Sequence, residues 1–237
     1  MPTDLSPALY IVKTGDTLPP LRERHGDFEG WIERGLAGQG LPVRTIDPRR
    51  TLEWPARERI AGVVVSGSPA MVTDRAAWSE RTAAWLAQLV REEVPVLGIC
   101  YGHQLLAHAL GGTVGPHPRG IEIGTVRIEC TEMVQGDPLF GALPAQFEAQ
   151  VVHEQTVLRL PPGATVLARN AHEPHHAFRI GRCAWGVQFH PEFDRAVMQG
   201  YLDLCQEESS AAAESAIAEE TPATAALLPR FARWVQE

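Results

Sequence analysis

Short apolar runs that alternate with helical patterns constrain the fold of this chain most strongly. Strands are predicted at residues 8–13, 41–46, 60–65 and 94–99, and helices at 27–36, 75–91 and 101–110. The runs IAGVVV and VPVLGI lack the polar alternation of a strand with one wet face. Strands buried on both faces are typical of parallel sheets covered by helices. The pattern therefore predicts an α/β fold with a mostly parallel central sheet and helices on both faces.

The pattern changes after residue 113, where short strand-like segments follow one another. The predicted strands are 125–129, 149–152, 165–168, 177–180 and 184–189, with a helix at 194–205. They predict a small β-rich excursion after the helix of residues 101–110. Residues 206–224, rich in Ala, Glu and Ser, are interpreted as a surface connector, and 225–237 as a C-terminal helix. No long linker interrupts the 237 residues, so one domain spanning 1–237 is expected.

Charge and cysteine content exclude several classes of protein. The net charge of −8 disfavours a nucleic-acid or membrane partner, because both require a basic surface. The N-terminal segment lacks the pattern of a secretory signal, and no apolar run reaches the ~20 residues of a membrane span. Four cysteines stand far apart without a C-x-x-C pair: Cys100, Cys130, Cys183 and Cys205. A cytoplasmic protein without disulfides, metal site or other cofactor is expected.

A cysteine stands between two glycines at the end of the strand predicted at 94–99. The motif is Gly98-Ile99-Cys100-Tyr101-Gly102, and a predicted helix follows it. A nucleophile on such a sharp turn lies at the carboxyl end of the sheet, and the helix N-terminus stabilises a thiolate. The backbone N–H of Tyr101 would then donate to an oxyanion. The alternative is a buried structural cysteine beside glycines that allow close packing.

Two further loops could complete a catalytic site. His190 and Glu192 flank Pro191 after an apolar strand, so both side chains project to the same side of an extended backbone. The carboxylate could orient the imidazole as a base for the thiol. The alternative is a His-Pro-Glu turn that caps the next helix. Gly67, in the SGSP segment after the strand at 60–65, could supply a second oxyanion donor, or could belong to a plain turn.

The chain resembles the class I, or triad, glutamine amidotransferases in two motifs. They are GICYGHQ at 98–104, followed by Gly111-Gly112, and GVQFHPE at 186–192. The SGSP segment and the stretch HEQTVLRLPPG at 153–163 also match the family pattern, so the resemblance spans about residues 63–192. It looks closest to the glutaminase portion of GMP synthase and to the stand-alone relatives of that portion. The resemblance implies a flavodoxin-like three-layer fold.

The resemblance also implies an activity and roles for residues. Cys100 would be the nucleophile, His190 the general base and acid, and Glu192 its orienting partner, with Gln104 binding the substrate. Gly67 and Tyr101 would hold the oxyanion. The reaction is release of ammonia from glutamine through a γ-glutamyl thioester, with no cofactor. A separate synthetase subunit could consume the ammonia. The sequence leaves two alternatives open: a stand-alone hydrolase of γ-glutamyl peptides or amides, and a non-catalytic binding subunit.

Position in the chain suggests further pocket residues and one possible metal site. Arg119, Glu122 and His153 are candidates for the pocket wall. The histidines of NAHEPHHAF, at 172, 175 and 176, have the chemistry of metal ligands. Pro174 interrupts any helical spacing among them, and no cysteine or carboxylate pattern completes a site, so an exposed loop is expected there.

Overall fold

The computed structural model describes residues 6–51, 53–208 and 217–237. The strands are β1 (Ala8–Val12), β2 (Val43–Ile46), β3 (Ile60–Val65), β4 (Val96–Ile99), β5 (Thr113–Pro116), β6 (Glu122–Cys130), β7 (Gln146–His153), β8 (Gln155–Arg159), β9 (Ala164–Arg169), β10 (Ala177–Ile180) and β11 (Ala184–Val187). The helices are α1 (Pro19–His25), α2 (Phe28–Leu36), α3 (Ala77–Arg91), α4 (Tyr101–Ala109), α5 (Arg195–Glu208), α6 (Pro222–Ala225) and α7 (Leu227–Trp234).

A nine-stranded mixed sheet in the order β2-β1-β3-β4-β11-β10-β9-β6-β7 forms the centre of the molecule. Its first five strands run parallel to their neighbours, and β10, β9, β6 and β7 continue the sheet as antiparallel pairs. The predicted α/β class is confirmed. Most of the predicted β-rich excursion extends the central sheet, and only β5 and β8 form a separate two-stranded sheet.

Alternate residues of the parallel strands enter two different cores. Leu9 and Ile11 of β1 join the cluster that contains residues of α2 and α7. Ala8 and Tyr10 of the same strand join the cluster of α3 and α4 on the opposite face. All five residues of β1 are consequently buried. This double burial explains why the strand shows no polar alternation in sequence.

Four helices and strands were not predicted from the sequence, namely α1, β5, β8 and α6. Helix α1 begins with two prolines, which the first turn of a helix tolerates because its N–H groups need no partner there. Strands β5 and β8 pair only with each other, and β5 is the short, mostly exposed segment TVGP. Within the connector predicted at 206–224, residues 209–216 lie outside the described residues, and 222–225 form α6.

Candidate active site

Three neighbouring parallel strands bring the predicted site residues to one edge of the sheet. Strand β4 lies between β3 and β11, with Val65 opposite Gly98 and Val187 opposite Ile99. The carboxyl ends of parallel strands meet at the same edge, so the loops that follow converge. Cys100, His190 and the SGSP loop lie on these three loops, although up to 124 residues separate them in sequence.

Cys100 occupies the sharpest turn of the site. Its φ of 50° and ψ of −100° are unusual for a residue with a side chain, and the strain is typical of functional turns. Its N–H donates to Val187 O at 2.8 Å, and its carbonyl accepts from Gln104 N–H at 3.1 Å in the first turn of α4. The side chain is 7% exposed. Its Sγ lies 3.7 Å from Val152 O.

The two flanking glycines are required by close backbone approach. A Cβ on Gly98 would lie 2.4 Å from Gly102 O, and a Cβ on Gly102 would lie 2.5 Å from Val65 O. Both distances are too short for carbon against a carbonyl oxygen. The glycines therefore allow α4 to start directly against β3 and β4, with Cys100 at its N-terminus.

His190 is oriented by a carboxylate and buried with it. Its Nδ1 donates to Glu192 Oε1 at 2.8 Å, while Nε2 is buried without a hydrogen-bond partner among the described residues. Burial lowers the pKa of His190, but the Glu192 carboxylate and the Cys100 thiol together raise it well above its ordinary value. The arrangement favours a protonated imidazole whose free N–H is available beside the thiol.

Aromatic rings hold the imidazole in place. Phe193 stacks on the His190 ring at a centroid distance of 4.0 Å, and Phe28 stacks at 6.3 Å. The backbone N–H of His190 donates to Gln150 O at 2.8 Å, which ties the loop to β7. A Cβ on Gly67 would lie 2.9 Å from His190 Cε1, so a glycine is required on this side as well.

The SGSP loop is held by hydrogen bonds to Thr14. Thr14 Oγ1 lies 2.9 Å from Ser66 O and 3.0 Å from Gly67 O, which both accept from it. Because each peptide is planar and trans, the N–H groups of Gly67 and Ser68 point away from Thr14. Tyr101 opens α4, where backbone N–H groups have no partner within the helix. Tyr101 lines the cleft, whereas Gly67 is not among its lining residues, and the oxyanion role of both stays a prediction.

A cleft of about 200 Å³ opens at Cys100 and His190, and neither Gly67 nor Glu192 is among its lining residues. Cys100, Tyr101, Gln104, His153 and His190 are among its lining residues. It is also lined by the loop of residues 16–18, by 68–71 and by 152–155. Gln104, one helical turn after the cysteine, donates from Nε2 to Gln155 O at 2.8 Å and to Gln188 Oε1 at 3.0 Å.

The three suggested wall residues have different positions. His153 lines the cleft, and Glu122 lies behind it, with its Oε2 3.0 Å from His153 Nε2. Arg119 is exposed and is not among the lining residues, because its guanidinium reaches over to the carbonyl of Ala171.

The expectation of an exposed loop at the histidines of NAHEPHHAF is wrong for His176. That side chain is fully buried, with Nε2 3.3 Å from Glu122 Oε2. His175 is partly buried and bonded to Val157 O, and His172 stacks on His117. The physical reason is that β10 begins at Ala177 in the interior of the sheet, so the residue before it is buried with the strand. Within 6–51, 53–208 and 217–237, no group of three or more His, Cys, Asp or Glu is arranged to hold a metal.

The remaining cysteines are not among the lining residues of the cleft. Burial raises the pKa of Cys130 at the end of β6, and burial together with Glu93 raises that of Cys183 in the turn before β11. Cys205 lies within α5. In the described part of the chain, no helix is long and apolar enough to cross a bilayer.

Sequence reasoning missed several residues of the cleft. Phe28 and Tyr201 line the cleft from α2 and α5, and Phe193, three residues after His190, stacks on the imidazole. The spacing of Phe28 predicted only the apolar side of a helix. Gln188 lies in the motif GVQFHPE and Gln155 in the stretch that begins at His153. Each is two residues from a histidine of its motif, and this spacing was the signal that could have identified it.

Comparisons with known proteins identify the family. The family model described as glutamine amidotransferase class-I matches residues 24–202. GMP synthase [glutamine-hydrolyzing] of Aeropyrum pernix is 37% identical over 177 residues, which cover 73% of this chain and 32% of that protein. The chain thus spans about a third of the length of this relative. The Methanopyrus kandleri protein named as one subunit of GMP synthase [glutamine-hydrolyzing] is 31% identical over 194 residues, covering 78% of this chain and 97% of the relative.

A solved structure of a glutamine amidotransferase has a similar fold. The glutamine amidotransferase of Methylobacillus flagellatus superposes with a TM-score of 0.74 and 26% identity, covering 98% of this chain and 93% of that one. The matched family region contains the loops that carry Cys100, His190 and the SGSP segment, whereas the cleft-lining loop of residues 16–18 lies before it. The chain belongs to the class I glutamine amidotransferases and is an enzyme of that family, similar to the glutaminase part of GMP synthase.

Proposed function

We propose that this protein hydrolyses the side-chain amide of glutamine with Cys100 as nucleophile, His190 as general acid and base, and Glu192 as its orienting partner. The observation that supports this best is the buried His190, which Glu192 holds at Nδ1 at 2.8 Å. Cys100 is near enough to raise its pKa, and Nε2 has no geometric hydrogen bond to any other described residue. Groups with a perturbed pKa that gather in a cleft commonly perform chemistry. The strained turn at Cys100 points to the same function.

The acylation half of the reaction uses a thiolate and an imidazolium. The Cys100 thiolate attacks the amide carbon of glutamine, and the carbonyl π-bond opens to an oxyanion. Backbone N–H groups of Gly67 and Tyr101 are proposed to stabilise that oxyanion. The His190 imidazolium then gives its Nε2 proton to the departing nitrogen. Ammonia leaves, and a γ-glutamyl thioester with a neutral imidazole remains.

The deacylation half restores the starting state. Neutral His190 takes a proton from water, which attacks the thioester carbon. The resulting tetrahedral intermediate expels the Cys100 thiolate, and glutamate is released. Glu192 stays ionised in both halves and keeps the imidazole in one orientation and tautomer, as the third member of a triad does. Gln104 is proposed to bind the substrate from the wall of the cleft.

The acceptor of the ammonia is proposed to lie on a separate synthetase subunit. The support is the similarity to the Methanopyrus kandleri protein, which is named as one subunit of a synthase and which this chain covers almost completely. A stand-alone hydrolase of γ-glutamyl compounds is the second candidate. Its support is apolar surface at the cleft, where Ile121 is 48% exposed and could contact the amine portion of such a compound.

Release of glutamate by the purified protein, together with ammonia from glutamine or the free amino acid from a dipeptide, tests the proposal. Glutamine and a set of γ-glutamyl dipeptides serve as substrates. We expect Cys100→Ala to reduce turnover by at least about a thousandfold, because a triad nucleophile is not replaceable. Cys130→Ala is the matched control and should retain the wild-type rate. Labelling of Cys100 by an electrophilic glutamine analogue, read by mass spectrometry, covers the case in which turnover requires a partner. If the protein neither turns over a substrate nor becomes labelled at Cys100, the proposal is wrong.

A further inference from the structure

His153 makes two hydrogen bonds whose partners are both acceptors. Its Nε2 lies 3.0 Å from Glu122 Oε2, and its Nδ1 lies 3.0 Å from the backbone carbonyl of Gln155. A backbone carbonyl has no hydrogen to give, so Nδ1 is the donor in that contact. The imidazole is buried at the wall of the cleft, and solvent does not replace either partner.

Glu122 is held as a carboxylate that accepts from several donors. Asn170 Nδ2 donates to Glu122 Oε1 at 2.8 Å. The orientation of this amide is unambiguous, because Asn170 Oδ1 accepts the backbone N–H groups of His172 and Glu173. Burial would raise the pKa of Glu122, but the contacts with His153, His176 and Asn170 lower it well below its ordinary range. The two ring nitrogens of His153 thus face acceptor oxygens, Nδ1 the Gln155 carbonyl and Nε2 the Glu122 carboxylate.

The hydrogen bonds continue from His153 to the residue proposed to bind substrate. The same Gln155 carbonyl accepts from Gln104 Nε2 at 2.8 Å, and the second hydrogen of that nitrogen goes to Gln188 Oε1 at 3.0 Å. With both hydrogens used, the orientation of the Gln104 amide is determined. Its Oε1 is the atom left for a ligand in the cleft, which Gln104 lines.

We infer that His153 is a positioning residue for substrate binding: its Nδ1–H, supported by Glu122, holds the Gln155 carbonyl that orients the Gln104 amide. The inference rests on the proposed function, because it concerns binding of the glutamyl group. It concerns affinity rather than the chemical step, since His153 acts through the wall of the cleft and its ring nitrogens bond to Gln155 and Glu122, away from the thiol.

Two substitutions of His153 distinguish the role of Nδ1 from the role of Nε2. In His153→Asn the side-chain amide can place a donor near the position of Nδ1, whereas in His153→Gln it reaches the position of Nε2. The readout is covalent labelling of Cys100 by an electrophilic glutamine analogue, which gives the binding constant KI and the maximal rate kinact separately. Losing one hydrogen bond should weaken binding by about tenfold in His153→Gln, with kinact within about threefold of wild type. His153→Asn should keep both values within about threefold of wild type.

The outcomes are distinct. The inference is overturned if His153→Asn and His153→Gln have the same KI and kinact. This holds whether both variants match the wild type or both are impaired. A wild type whose Cys100 is not labelled would instead overturn the proposed function, and the inference with it. A measurement without substitution guards against variants that do not fold: 15N spectra of the histidine rings in the intact protein. A hydrogen on Nδ1 of His153 is expected, and a bare Nδ1 would contradict the inference.

Discussion

At the scale of single residues, His190 is the group whose charge depends most directly on its neighbours. It is buried beside the Glu192 carboxylate and the Cys100 thiol, and they raise its pKa against the effect of burial. In the unfolded chain the same imidazole titrates near 6.5. A group whose pKa is raised on folding stabilises the protein below its unfolded pKa. That stabilisation is lost as the pH rises through the folded pKa.

The free energy of unfolding should therefore fall by about 1–3 kcal/mol between pH 6.5 and about 10 because His190 loses its proton. Glu192→Gln removes the negative partner, so the fall should be smaller in this variant. Urea unfolding at a series of pH values measures both. Glu23→Gln, at an exposed carboxylate, is the control and should follow the wild-type curve. Identical slopes for wild type and Glu192→Gln would mean that the carboxylate does not stabilise the imidazolium.

At the scale of elements, the loop after β3 and the loop after β11 approach each other too closely for a side chain between them. A Cβ on Gly67 would lie 2.9 Å from His190 Cε1 and 3.2 Å from Phe28 Cε1. Neither ring is free to move, because His190 also stacks on Phe193. The position of the imidazole is thus set by packing between elements, in addition to its bond to Glu192.

Gly67→Ala should displace the imidazole and lower kcat/KM for glutamine by about 10- to 100-fold, because catalysis is sensitive to displacements below 1 Å. The free energy of unfolding should fall by about 1–3 kcal/mol, as in other overpacked sites. The control is Gly30→Ala, where the nearest atom to the added Cβ is 3.8 Å away on the Arg34 side chain. That change should leave kcat/KM unaltered and slightly stabilise α2. A fully active Gly67→Ala enzyme would contradict the packing argument.

At the scale of the whole molecule, one sheet separates the two cores and is shared by both. Leu9 and Tyr10 are consecutive in β1 and belong to opposite cores. Loss of packing on one face should therefore destabilise the strands that the other face depends on. A single domain spanning 1–237 stays a prediction, and its cooperativity is the property that tests it.

Phe231→Ala tests this cooperativity from the side of α7. The ring is fully buried in the core that contains α2, so its removal should cost about 3–5 kcal/mol of unfolding free energy. We expect one urea transition that shifts as a whole, with circular dichroism and tryptophan fluorescence coinciding. Arg233→Ala, an exposed residue of the same helix, should shift it by less than about 0.5 kcal/mol. Two separated transitions would show that the faces unfold independently.

Sequence reasoning succeeded where the physical cause is local. Strand β3 has the predicted bounds of 60–65, and α3 and α4 begin and end within two residues of prediction, because buried runs and helical spacing are properties of neighbouring residues. The turn at Cys100 was predicted for the same reason, since only glycine tolerates the backbone contacts of Gly98 and Gly102. His190 and Glu192 are two residues apart, so their pairing also needs no distant contact.

The sequence by itself determined the class of fold, the family motifs and the residues at the strand ends. Only the tertiary structure decided what surrounds them. Phe28 stacks on His190 from a distant part of the chain. Strand pairing buries His176, and it also brings Glu122, His153 and Gln155 together from three different strands. Such contacts depend on which strands pair and in which register, and no local pattern of residues specifies that choice.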